Sequence, residues 1–274
     1  MYPPVSLVLS SGGARCAAHI GVIEELERQG FKIKAIAGSS IGALIGGIYV
    51  SGNLQIFKDW ISRFDKTTVL NFNSNADNSI EMPDWIEIMN EIKKTMYSCN
   101  IEDLPVLFKA FAINIENDGE AVLDRGNLFE AICASIAIPT SPYELNGNFL
   151  IDGGFLNPLP INLINRAKDD LLIAIDVNSP TQSNGSDLSC QPYEQYEWLR
   201  SLPEIHEKHH NHPNTLMHSI NLMIQQISSL AVKLYQPDLV IKIPMVSYED
   251  HCFYRYKEII KAGELAMHKA LFEF

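Results

Sequence analysis

Short apolar runs alternate with helix-period segments through the first half of the chain, the pattern of a parallel sheet covered by helices. Residues 5–9 read as a buried strand, 10–13 as a tight turn, and 16–29 as a helix that Gly30 stops. On that helix Val22, Ile23 and Leu26 share one face, and Glu24, Glu25 and Arg28 share the opposite, polar one. Residues 33–37 form a second predicted strand, followed by a Gly-Ser-Ser turn and a buried small-residue helix over Ile41–Val50. Further strands are predicted over 111–116, 149–151, 171–177 and 239–243, and further helices over Leu128–Ile136 and 256–272. The run at 171–177 is almost continuously apolar, as a central parallel strand requires. Ile220, Met223, Ile224, Ile227, Leu230, Ala231 and Leu234 share one helical face, which reads as core rather than as a membrane-binding stripe.

Two stretches interrupt this order. Residues 54–100 combine helical patches, Asn-rich joints and two tryptophans, Trp60 and Trp85, and are expected to form a cap or lid. Residues 180–213 are the most polar part and read as an exposed loop or insertion. Both are expected to belong to one domain spanning 1–274.

Composition narrows the picture. With 274 residues, 46% hydrophobic and 20% charged, the chain can bury a large core, which excludes disorder. A net charge of -12 argues against nucleic acid as a partner. It also means that any contact with a membrane surface must be local and apolar. The five cysteines (Cys16, Cys99, Cys133, Cys190 and Cys252) are scattered, with no CxxC pair, which suits free thiols in a reducing compartment. No apolar run reaches the roughly 18 residues of a membrane span, and no basic stretch precedes the first apolar one, so no Sec signal peptide is expected. The expected location is the cytoplasm, peripheral at a membrane; signal-independent export stays open.

Three segments carry candidate chemistry. Gly38-Ser39-Ser40-Ile41-Gly42 fits G-x-S-x-G between a strand and a helix, where a strained turn can present the Ser40 hydroxyl and flanking glycines permit close approach. Gly12-Gly13-Ala14-Arg15 follows the first strand, where successive amides can hold a developing oxyanion. A nucleotide-phosphate loop fits less well, because neither glycine spacing is met; a plain turn is the other reading. Asp152-Gly153-Gly154 ends a short strand, and its carboxylate could take a serine proton, although Asp-Gly is also an ordinary turn.

Taken together, these segments resemble the patatin-like phospholipase family. Residues 7–22 resemble its glycine-rich oxyanion segment and following helix, and 37–43 its nucleophile elbow. Residues 134–139 and 150–160 resemble the blocks around its catalytic aspartate, with weaker similarity at 237–241 and 259–264. The resemblance implies an α/β fold of three layers, α/β/α, with a mainly parallel sheet. It implies a Ser-Asp dyad of Ser40 and Asp152, oxyanion donors at Gly12, Gly13, Ala14 and Arg15, and neither metal nor cofactor. The substrate class it implies is a lipid ester, phospholipid or lysophospholipid; a protein activator or an oligomer is left open. Ser11 and Cys16 stand where the family usually has flanking glycines.

Rival readings remain. A catalytically weak lipid-binding protein on the same fold is one. His206-Glu207-Lys208-His209-His210 fits the H-E-x-x-H zinc-hydrolase pattern, but lies in the polar stretch without an apolar face to bury it. A Ser-Asp-His triad would need His251 or His268, and His19 reads as a hydrogen-bonded packing residue.

Overall fold

The computed structural model describes residues 2–62, 93, 99–167, 169–179, 213–244 and 253–273. Its strands are β1 (Pro4–Leu9), β2 (Lys32–Ser39), β3 (Leu107–Asn114), β4 (Gly119–Leu123), β5 (Tyr143–Leu145), β6 (Asn148–Asp152), β7 (Leu171–Ser179) and β8 (Leu239–Pro244). Its helices are α1 (Ala17–Arg28), α2 (Ile41–Val50), α3 (Leu54–Ile61), α4 (Leu128–Ile136), α5 (Pro213–Tyr235) and α6 (Tyr256–Glu273). Among the described residues the strands form one eight-stranded sheet, ordered β5-β6-β3-β2-β1-β7-β8, with β4 paired to β3. β1, β2, β3, β7 and β8 run parallel, and β4, β5 and β6 are joined antiparallel.

Alternation along β1 separates the two faces of the sheet. Val5, Leu7 and Leu9 enter a large core with Ile20 of α1, Ile45 of α2 and Met267 of α6. Val8 points the other way, with Leu172 and Ala174 of β7, against Leu159, Ile161 and the Ala231–Val232 part of α5. The result is the expected mixed α/β architecture, a mainly parallel sheet with helices on both sides. Every residue of β7 is buried, which accounts for its nearly continuous apolar run.

Two expectations need correction. Glu25 lies on the face assigned to solvent, yet it is 1% exposed. α6 packs along α1 so closely that a Cβ on Gly263 would sit 2.9 Å from Ala18 Cα, and this covers the carboxylate. Arg28, at 2.5 Å, and His268 Nδ1, at 2.8 Å, pair with it there. On α5 the predicted apolar stripe is seated only in part: Met223, Leu230 and Leu234 are exposed, Ile220, Ile224 and Ile227 are half-buried, and Ala231 packs with Val232 against the sheet beside buried Ser228.

Of the expected cap, α3 is described, and its Phe57, Trp60 and Ile61 are buried in the main core. Phe64, Trp85, Ile86 and Met89 lie outside the described residues, as do 180–212, with His206 and His210, and His251.

Candidate active site

Three strand ends meet across the sheet. Leu9 of β1 lies beside Gly38 of β2, Ser39 beside Phe111 of β3, and Ala112 of β3 beside Asp152 of β6. At β1 the chain order turns back toward β7, the kind of place where open α/β sheets collect ligands.

Ser40 occupies the turn from β2 into α2 with φ 55° and ψ -132°, a conformation that costs energy in a residue with a Cβ. Such a turn demands bare backbone around it. A Cβ on Gly42 would fall 2.5 Å from the Ser10 carbonyl oxygen, and one on Gly38 2.6 Å from the Ala43 nitrogen. The Ser40 hydroxyl donates to Asp152 Oδ2 at 2.5 Å. Its amide donates to Ser135 Oγ at 3.0 Å, and the Ser135 hydroxyl donates in turn to the Phe111 carbonyl at 2.6 Å. Neighbouring Ser39 is fully buried, and its hydroxyl has no partner among the described residues. The hydroxyl that meets the aspartate is therefore that of Ser40.

Asp152 is held at three atoms. Its amide donates to the Ala137 carbonyl at 2.7 Å, its Oδ1 accepts the Gly154 amide at 2.7 Å, and Oδ2 is left for Ser40. Gly153 and Gly154 are both buried, and a Cβ on Gly153 would run into the Phe111 carbonyl. Burial raises the Asp152 pKa to about 6, against the opposing pull of the hydrogen bonds from Ser40 and Gly154. At neutral pH the group is mostly ionised, yet far more basic than an ordinary aspartate.

The first turn begins beside both, since Gly42 comes close to Ser10 and Gly154 to Ser11. Gly12 and Gly13 have φ of 152° and 56° and open a short 3-10 turn, Gly13–Cys16. The amides of its first residues, Gly13 and Ala14, have no partner within the turn, as at any helical N-terminus. The side chain of Arg15 points elsewhere. It is buried, with Nε donating to the Val177 carbonyl at 3.1 Å and the guanidinium to Asn178 Oδ1 at 3.2 Å. Asn178 Nδ2 donates to the Ser11 carbonyl at 2.6 Å, and Ser10 Oγ accepts the Val177 amide at 3.0 Å. The turn is thus tied to the end of β7.

Ser11 and Cys16 are both accommodated. A Cβ on Gly154 would lie 2.8 Å from Ser11 Cβ, so the missing side chain at 154 makes room for the one at 11. Cys16 is packed in the main core and its Sγ contacts the Ser10 carbonyl at 3.4 Å. His19 also meets that carbonyl, through Nε2 at 2.9 Å. Burial lowers its pKa to about 4, so it is neutral at pH 7. His268 is bonded to Glu25 rather than to either member of the Ser-Asp pair. Sequence reading missed Ser135 and Asn178. Ser135 had a signal, its place in the 134–139 block; Asn178 had none.

The chain matches the family described as Patatin-like phospholipase over residues 7–164. An NTE family protein of Mycobacterium tuberculosis is 36% identical over 202 residues, 73% of this chain and 56% of that one. The Lysophospholipase NTE1 of Scheffersomyces stipitis is 27% identical over 272 residues, 94% of this chain and 17% of that one. The chain therefore spans about half the length of the mycobacterial relative and a small part of the yeast protein. In fold it is similar to VipD from Legionella pneumophila, with a TM-score of 0.52, 12% identity, and coverage of 99% of this chain and 67% of that one.

Proposed function

The chain belongs to the patatin-like phospholipase family, and from that premise we propose that it is a lipid acyl hydrolase acting through Ser40 and Asp152 on carboxyl esters of phospholipids or lysophospholipids. The observation that carries the reading is the 2.5 Å hydrogen bond from Ser40 Oγ, on a strained elbow, to Asp152 Oδ2. Ser40 Oγ attacks the ester carbonyl carbon as its proton passes to Asp152. The carbonyl electrons move onto oxygen, where amides from Gly12 to Arg15 receive them. Collapse breaks the bond to the alcohol, which leaves with the proton from Asp152. Water then attacks the acyl-enzyme, giving its proton to Asp152, and collapse returns Ser40 to its hydroxyl form with release of the fatty acid. The steps call on neither metal nor cofactor.

Transient contact with a lipid surface fits the rim of this site. Ile138, Phe155 and Leu156, beside Ala137 and Asp152, are 50%, 42% and 45% exposed. With a net charge of -12, attraction to a surface would be apolar rather than electrostatic. No helix among the described residues is long and apolar enough to cross a membrane. The yeast relative is a lysophospholipase by name, which favours monoacyl substrates. The test is fatty-acid release from monoacyl and diacyl phosphatidylcholine, together with mass-spectrometric location of a fluorophosphonate adduct. Label on Ser40 with hydrolysis supports the reading. Unlabelled protein without turnover would favour the lipid-binding alternative, and hydrolysis abolished by chelators the zinc one.

A further inference from the structure

The β2–β3 ladder stops being direct where Ser40 leaves the sheet. Ser39 still pairs with Phe111, but the next amide, that of Ser40, reaches β3 only through a side chain. The Ser135 hydroxyl, fully buried, accepts that amide and donates to the Phe111 carbonyl, so both its donor and its acceptor capacity are used there. Two residues further on, the Ala137 carbonyl accepts the Asp152 amide at 2.7 Å. The end of α4 therefore grips the backbone of Ser40 with one residue and the backbone of Asp152 with another.

We propose that Ser135 is a positioning residue for acyl transfer: its hydroxyl sets the Ser40 elbow against β3 and so fixes the distance between nucleophile and base. The inference rests on the reading of Ser40 and Asp152 given above. A residue at φ 55° keeps that backbone only if its surroundings over-determine it. The Ser40 amide has one acceptor doing so. Without the Ser135 oxygen the elbow can relax toward ordinary backbone, carrying Oγ away from Oδ2. Binding of the ester, which uses other surfaces, would be unaffected.

The experiment compares Ser135→Ala and Ser135→Cys with the parent chain and with Ile23→Val, a core change on α1. Each is measured for thermal unfolding, for kcat and KM on a soluble chromogenic ester, and for the rate of fluorophosphonate labelling. Expected is a fall in kcat and in labelling rate on the order of ten- to a hundredfold in both Ser135 variants, with KM unchanged. Ile23→Val should lower the unfolding temperature without altering labelling. Cysteine keeps the branching of serine and fills the site with a somewhat larger, weakly hydrogen-bonding atom, so it carries the test if the alanine variant does not fold. Labelling within about twofold of the parent in either folded variant would overturn the proposal, as would a rise in KM with kcat unchanged. Failure of the underlying reading looks different: the parent chain itself would go unlabelled, or Ser40→Ala would remain active.

Discussion

Of the carboxylates drawn into this protein, Asp152 and Glu25 are treated in opposite ways. Asp152 meets only a hydroxyl and an amide, and burial raises its pKa to about 6. Burial also acts against the charge on Glu25, but hydrogen bonds from Gln29, His268 and Arg28, with the charge of Arg28, more than offset it, and its pKa is lowered. One group is kept near the point of accepting a proton and the other is kept from accepting one. What separates them is the company each keeps: Gln29, His268 and Arg28 together hold Glu25 ionised, while one hydroxyl and one amide do not offset burial at Asp152.

The sharpest way to break this comparison is to remove what each acid serves. Ser40→Ala should cut ester hydrolysis by more than about a thousandfold and abolish fluorophosphonate labelling, with the unfolding temperature kept. Asp152→Asn should come close to it in activity. Its stability should move the other way, because the folded pKa of Asp152 lies above its usual 3.8. The fold favours the protonated acid, so the cost of the charge grows as pH rises from near 4 to about 6 and then stays constant. A neutral amide escapes it. Thermal unfolding at pH 8 should show Asp152→Asn more stable than the parent, with the gain gone below pH 4.

Glu25→Ala should show the reverse profile, normal kcat with a stability loss of about 2 kcal/mol in denaturant titration. That figure is below the usual cost of breaking a buried pair because Arg28 and His268 are 58% and 42% exposed and can turn to water. A pH series sharpens the contrast further. Between pH 7 and pH 5, kcat/KM should fall about tenfold as Asp152 takes up its proton, while the fold persists. Glu25, with its lowered pKa, contributes stability that is present above its unfolded pKa and is lost only as pH falls through the folded one. Simultaneous loss of fold and activity near pH 6 would contradict the assignment. The smallest effect is expected away from both acids. Asn127 accepts the Glu130 amide at the start of α4, and Asn127→Ala should cost about 1 kcal/mol with little change in kcat.

The opposite fates of Glu25 and Asp152 also mark what could be read from the chain. Helical spacing put Glu25 on the polar face of α1, correctly for a helix with one buried side, but α6 covers that side as well. Nothing within residues 16–29 announces a partner that arrives from Tyr256–Glu273. The stripe on α5 held only in part for the same reason: periodicity locates a helix and its faces, while the shape of the seat chooses how much of a face is covered. Strands β4 and β5 are short and unevenly apolar, and were invisible without β3 and β6 to pair with.

The local turns were another matter. Gly12-Gly13, Gly38 to Gly42 and Asp152-Gly153-Gly154 are visible in sequence because tight turns and close backbone approach restrict residue type within a few positions. So is the nearly continuous apolar run of β7, since burial on both faces is a property of the strand itself. The sequence by itself therefore determined the α/β class, the parallel strands and the identity of Ser40 and Asp152 as candidates. Only the tertiary structure decided that their oxygens lie 2.5 Å apart, that Ser135 stands between Ser40 and Phe111, and that Arg15 ties the first turn to β7. Those contacts join residues separated by 24 to 162 positions, and their geometry depends on sheet register and helix packing, which no local pattern encodes.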